Sequence, residues 1–165
     1  MLKQKVLSSQ MPIATKSSKI DITQESVTAS LAKKFSKVFK NGDIVFLYGE
    51  IGVGKTTFVK YLINSFQQKN KDQKTEVTSP TFSILNEYQL KNLTVNHFDL
   101  FRLNKSNELK NIGLFENYKK TLTLIEWPEK IENKPSKKYE FFFEYDHKTG
   151  KRFLNILRNG LNLKL

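Results

Sequence analysis

Ile44-Val45-Phe46-Leu47-Tyr48-Gly49-Glu50-Ile51-Gly52-Val53-Gly54-Lys55-Thr56-Thr57-Phe58 decides how this chain is read. An apolar, strand-forming run opens it, G-x-x-x-x-G-K-T follows from Gly49 to Thr56, and a helical pattern of apolar residues comes next. Strand, glycine loop and helix in that order make a phosphate-binding P-loop. The glycines let backbone amides turn toward a nucleotide's phosphates, and the helix N-terminus adds partial positive charge at the same place. Lys55 is placed to reach the β and γ oxygens, and the Thr56 hydroxyl to ligate magnesium. Glu50, Ile51, Gly52, Val53, Gly54 and Thr57 complete the stretch expected around the nucleotide. A plain strand-to-helix connection would have no use for the ordered Lys-Thr pair.

Outward from this motif, an α/β pattern appears on both sides. Val27, Leu31, Phe35, Val38 and Phe39 space out an amphipathic helix that opens near 21–26, and Asn41-Gly42-Asp43 turns it into the P-loop strand. Phe58, Tyr61, Leu62 and Phe66 recur at helical spacing, so they read as core. A polar connection over 69–76 leads to Val77-Thr78-Ser79-Pro80-Thr81-Phe82, whose proline cannot continue a helix. Two alternating strands follow, 83–89 and 93–99, joined by a turn at Lys91-Asn92. Residues 107–118 read as a short helical region broken by Gly113, and Thr121-Leu122-Thr123-Leu124-Ile125-Glu126 as an apolar strand punctuated by Pro128. Strands over 139–145 and 152–157 make a terminal hairpin. The fold class implied is a P-loop NTPase-like α/β sheet, parallel at its centre, with antiparallel hairpin strands and helices on both faces.

In open α/β sheets ligands sit beyond the carboxyl ends of the strands, which singles out Asp99 and Glu126. A nucleotide site needs an acid to hold magnesium and a group to orient the attacking water, so both are taken as catalytic and metal-ligating candidates together with Thr56. His97 shares the alternating face of Asp99, although a lone histidine on a strand is more often structural. Arg102 is a candidate for neutralising charge on phosphate, with an ordinary carboxylate pair as the alternative. Trp127, the only tryptophan, has a core role by default and a site role by position.

Composition narrows the function. The chain has 165 residues and no cysteine, enough for one domain, with disulfides, cysteine-ligated zinc and thiol catalysis excluded. A disordered basic tail is expected over 1–20, a single domain over 21–165, and a cytoplasmic location. The formal charge of +12 invites a nucleic-acid reading, but only Arg102, Arg152 and Arg158 are arginines among 28 basic residues. A solvated lysine surface from compositional drift is the plain explanation, and attraction to RNA or an acidic partner the other. The nearest approach to the guanine-specifying N-K-x-D is Asn104-Lys105-Ser106-Asn107, which ends in an amide and disfavours GTP. So few arginines also weaken a small-molecule kinase, which clamps a second phosphorylated substrate. An ATPase and a nucleotide-controlled binding module both remain open on the residues alone.

The ordered blocks resemble a known family, the bacterial TsaE (YjeE) proteins. They are Asn41-Gly42-Asp43 with the P-loop, Ser79-Pro80-Thr81-Phe82, His97-Phe98-Asp99-Leu100-Phe101-Arg102-Leu103, Glu108-Leu109 with Gly113-Leu114, and Leu124-Ile125-Glu126-Trp127-Pro128-Glu129. The resemblance implies ATP and magnesium as cofactors, weak ATPase activity alone, and action with the partner proteins TsaB and TsaD in threonylcarbamoyladenosine modification of tRNA. Contact with tRNA would come indirectly, through the assembly, with direct contact left open. By similarity Lys55 and Thr56 bind phosphate and magnesium, Thr81 belongs to a switch-like segment, and Asp99, Glu126 and Trp127 belong to the site. Glu50 stands where aspartate is frequent in the family, and Phe82 and Phe101 where tyrosine is common.

Overall fold

The apolar run ahead of the loop forms strand β2 (Ile44–Tyr48), and its first four side chains are at most 1% exposed. A strand apolar at every position must be covered on both faces, the mark of a central parallel strand. The computed structural model, which describes residues 19–104 and 106–163, places it there. The main path of the sheet comprises β1 (Ile20–Asp21), β7 (Lys151–Arg158), β6 (Tyr139–Asp146), β2, β5 (Thr121–Glu126), β4 (Leu93–Asp99) and β3 (Leu85–Leu90), in that spatial order. A further short strand, β8 (Leu161–Asn162), pairs with β7. β2 runs parallel to β5 and β6, and β5 parallel to β4; the β3–β4 and β6–β7 hairpins supply the antiparallel pairs.

Alternation along the strands divides the core in two. Val45, Leu47, Val95, Leu122, Leu124 and Phe141 face helices α1 (Glu25–Phe35) and α2 (Lys55–Asn70), meeting Phe35, Phe58, Leu62 and Ile63. Ile44, Phe46, Phe98 and Ile125 face the other way and are covered by Leu100, Leu103, Leu114 and Ile131, with Leu109 of helix α3 (Ser106–Asn111). Truncating a buried aromatic such as Phe58 to alanine costs about 3–5 kcal/mol in a core of this kind.

Local differences from the sequence reading have local causes. The first helix begins at Glu25 rather than in the 21–24 stretch, because Asp21 is drawn into the edge strand opposite Phe153 and accepts the Thr23 amide at 2.9 Å. It ends at Phe35, so Val38 falls on the following turns and stands 52% exposed instead of joining the apolar face. The second helix starts at Lys55 and runs through Asn70, into the stretch read as a polar connection. The tail expected over 1–20 lies outside the described residues through Ser18, while Ile20 pairs with Leu154. Among the described residues no helix is long and apolar enough to cross a membrane.

Candidate nucleotide site

Parallel strands bring their carboxyl ends to one edge, and every element of the site hangs from it. The turn after β2 requires glycine twice, for different reasons. Gly49 has φ +137°, and a Cβ there would lie 2.5 Å from the Phe143 carbonyl oxygen, so the neighbouring strand excludes any side chain. Gly54, which precedes α2, has open space around it but φ +117°, a conformation that L side chains rarely adopt.

Lys55 opens the helix and folds back over the loop. Its Nζ donates to the carbonyls of Gly49 at 2.6 Å and Glu50 at 2.8 Å, with the residue only 4% exposed. Burial pulls its pKa below the ordinary 10.5, while the charges of Glu126, Asp99 and Glu129 act in the opposite direction. The Trp127 ring centroid lies 4.4 Å from the same ammonium, a cation–π contact. Trp127 achieves this from the left-handed region, φ 60°, which for a bulky side chain costs about 1–2 kcal/mol. Its indole also packs against Phe101, with ring centroids 5.0 Å apart.

Asp99 and Glu126 are register partners on adjacent parallel strands, so their side chains leave the sheet on the same face. The Thr56 hydroxyl donates to Glu126 Oε1 at 2.7 Å, and His97 Nε2 lies 3.0 Å from that oxygen. Asp99 is held from the other side: Ser79 and Thr81 hydroxyls donate to Oδ2 at 2.9 and 2.6 Å, and the Phe101 amide donates to Oδ1 at 2.9 Å. Both carboxylates are 3% exposed.

These groups line a cavity of about 350 Å³ that contains Ile51, Gly52, Gly54, Lys55, Thr56, Thr57, Ser79, Thr81, Asp99, Phe101, Glu126 and Trp127. Of the residues expected around a nucleotide, Gly49, Glu50 and Val53 do not line it. Gly49 packs against β6, Val53 is buried in the core, and Glu50 sends its carboxylate outward, 3.7 Å from the His147 ring, leaving its carbonyl on Lys55. A larger cavity of about 430 Å³ lies elsewhere, among Leu109, Leu114, Phe115 and Ile131, without the P-loop's amides or an ammonium. Chemistry rather than size makes the smaller cavity the candidate.

Sequence reasoning passed over two members. Ser79 was one letter in a Ser-Pro-Thr block, and only the closure of that loop onto β4 reveals its bond to Asp99. His97 alternates with Asp99 on one face of its strand, and its ring meets Glu126 across the strands. Its Nδ1 is buried and has no hydrogen-bond partner among the described residues. Arg102 does not join the cluster: its guanidinium lies 5.0 Å from the Phe82 ring.

Among the described residues no three His, Cys, Asp or Glu side chains converge as a metal cage. The oxygen set that is present, one hydroxyl and two carboxylates beside a phosphate loop, suits magnesium, which takes one or two carboxylates and fills its octahedron with phosphate and water.

Residues 22–153 match the family model described as threonylcarbamoyl adenosine biosynthesis protein TsaE. A relative from Rickettsia bellii, named tRNA threonylcarbamoyladenosine biosynthesis protein TsaE, is 39% identical over 112 residues, covering 68% of this chain and 75% of the relative. The chain belongs to the TsaE family. A second TsaE from Aquifex aeolicus is 32% identical over 109 residues, 66% of this chain and 75% of its own length. Against the Rickettsia felis protein of the same name the match spans 63% of that relative, less than two thirds. The crystal structure of Bacillus subtilis YdiB superposes with a TM-score of 0.66 and 25% identity, covering 86% of this chain and 85% of that one. This TsaE-family chain therefore has an α/β, P-loop NTPase-like fold with a parallel sheet centre.

Proposed function

We propose that this chain binds ATP with magnesium in the cleft at the carboxyl edge of the sheet and hydrolyses it, in support of threonylcarbamoyladenosine modification of tRNA carried out with TsaB and TsaD. The observation that carries the reading is the meeting of the P-loop hydroxyl of Thr56 with Glu126 at 2.7 Å, in one cavity with Lys55 and Asp99. Lys55 binds the terminal phosphates by exchanging its two carbonyl partners for phosphate oxygens. Thr56, Asp99 and Glu126 are the groups that would hold magnesium, which when bound neutralises the charge developing on the phosphates. Glu126 also has an oxygen fixed by Thr56 and His97, an arrangement suited to orienting a water. The nucleoside lies toward a smaller cavity of about 170 Å³ that shares Gly52, Gly54 and Thr57 with the first and is walled by Ile22, Thr23 and Arg152.

One observation favours a second reading, a nucleotide-controlled binding module. Ile51 is 73% exposed, Phe82 85% and Phe101 41%, an apolar rim beside the cleft that a bound partner would cover. Asp99→Ala separates the two readings in a reconstituted system with TsaB, TsaD and tRNA. If hydrolysis drives the cycle, the variant binds ATP and assembles but fails over multiple turnovers. Normal multiple-turnover modification by a variant with no measurable ATPase would favour the binding module.

A further inference from the structure

Six of the 28 basic residues stand together at the end of the sheet opposite the nucleotide cleft. Strands β2, β4, β5 and β6 share one direction, so their amino ends form a second pole. Four neighbouring strand ends meet there in the order β7, β6, β2, β5, and each carries lysine or arginine: Arg158, Lys137 and Lys138, Lys40, and Lys119 and Lys120. Backbone contacts tie them into one surface. The Gly42 amide donates to the Thr121 carbonyl at 2.9 Å, the Asn159 amide to the Lys138 carbonyl at 2.9 Å, and the Lys138 amide to Asn159 Oδ1 at 3.0 Å. Lys137, Lys138 and Arg158 share a shallow hollow of about 120 Å³ with Gly42 and Asp43. At 4.7–4.9 Å between strands the row spans roughly 15 Å.

Lys40, Lys119, Lys120, Lys137 and Arg158 are exposed, and among the described residues none of them forms an ion pair. Asp43, the carboxylate in their midst, accepts the neutral Lys40 amide at 2.9 Å, a bond that leaves it as a single counter-charge among six cations. The lysines ending α1, Lys33 and Lys34, have a structural explanation, because cations favour a helix C-terminus. Of the strand-end residues, Lys138 lies 4.0 Å from Glu140, Arg158 has its guanidinium 5.2 Å from the Tyr139 ring, and Lys119 and Lys120 close the 3-10 turn Tyr118–Lys120, whereas Lys40 and Lys137 have no such partner among the described residues. A row of exposed cations repels itself unless something anionic lies along it.

We propose that this pole is a binding surface for the phosphate backbone of folded RNA; the proposal rests on the tRNA part of the proposed function and not on its ATPase part. Three observations favour RNA over an acidic protein. The strand ends in the row carry cations, with exposed Leu161 beside Arg158 at its margin, whereas a protein interface has an apolar core inside its polar rim. Of the aromatic side chains at the row, Tyr139 is 4% exposed and Tyr118 is half-buried against the core, so neither offers an open platform for unstacked bases and the backbone is what remains to be read. The relatives carry tRNA modification in their names.

The test is fluorescence anisotropy with a labelled, unmodified tRNA transcript over a salt series, using the full chain. Wild type is expected to bind at physiological ionic strength, with log K falling linearly in log salt. The triple variant Lys119→Gln, Lys120→Gln, Lys137→Gln should bind at least about tenfold more weakly, with the salt slope reduced by about 2 to 3, since each lost phosphate contact removes about 0.7 to 0.9 from it. A second triple, Lys60→Gln, Lys148→Gln, Lys151→Gln, makes the same change in net charge away from the pole and should leave affinity within about threefold. ATP affinity and thermal melting of both triples monitor folding. Absence of tRNA binding by wild type, equal weakening by the two triples, or competition by polyglutamate as effective as that by tRNA at equal charge would each overturn the proposal.

Discussion

Lys55 and Lys119 are the same side chain at opposite ends of one sheet, and nearly everything else about them differs. Lys55 is buried, fixed by two carbonyls and an indole, and surrounded by carboxylates. Lys119 is exposed and, among the described residues, has no ion-pair partner. A charge taken out of water is strongly disfavoured unless its partners are all in place, so such a group acts through one geometry and tolerates no replacement. A charge left in water interacts weakly, additively and in a salt-dependent way. The cleft should therefore respond to single substitutions with large, specific losses, and the opposite pole with small ones that accumulate.

The largest effect is expected at Glu126. Replacing it with alanine removes the acceptor shared by Thr56 and His97, and hydrolysis should fall by at least about 100-fold, the range for losing a positioned acid–base group. ATP binding should largely survive on the loop amides and Lys55. A variant that keeps its turnover, measured by phosphate release, would show that the carboxylate is only structural. Next comes Lys55→Ala, which removes a charge-assisted contact worth roughly 1.5–3 kcal/mol, about tenfold to a hundredfold in ATP affinity by calorimetry. Unchanged affinity would erase the contrast between the poles.

The contrast has a pH signature as well. Below the lowered pKa of Lys55 the ammonium is charged in both folded and unfolded chains, and the folded state carries the full burden of its burial. Between that pKa and 10.5 the unfolded chain keeps the proton and the folded one has released it, so stability rises with pH through this window. Urea unfolding of wild type and Lys55→Met from neutral pH to 10.5 should show wild type gaining on the variant as pH climbs. A difference that stays flat or moves the other way would mean that the carboxylates outweigh the desolvation.

The two poles were not equally legible in the sequence. The cleft was announced by contiguous signals, G-x-x-x-x-G-K-T and two strands ending on Asp99 and Glu126, because a P-loop is a local structure and the parallel register brings strand ends together. The Ser79 and Thr81 bonds to Asp99 were hidden, since the loop that carries them closes through tertiary contacts, with Ile84 at φ 68° donating its amide to the Pro80 carbonyl. The apolar period runs on to Val38, past Phe35, where the helix ends. The basic pole was not visible at all. Lys40, Lys119 with Lys120, Lys137 with Lys138, and Arg158 lie far apart in the chain, and each alone is an ordinary surface charge. Only the sheet order β7, β6, β2, β5 makes them neighbours.

The smallest effect is the most direct check on how that pole is built. Lys119→Ala removes an exposed cation from among like charges, so its effect on stability should stay within about 0.5 kcal/mol, as for surface positions generally. The sign should depend on salt. At about 0.01 M ionic strength the Debye length is near 30 Å, longer than the row of strand ends, and the neighbouring cations repel one another. Removing one should then stabilise slightly. At about 1 M salt the length shrinks to near 3 Å, repulsion is screened, and the gain should vanish. Urea unfolding of wild type and variant at the two salt concentrations reads this directly. A loss above about 1 kcal/mol at either concentration would mean that Lys119 holds a structural contact, and a gain indifferent to salt would mean that its neighbours do not repel it. Either outcome would dissolve the contrast between a lysine committed to one geometry and a lysine acting as one charge among several.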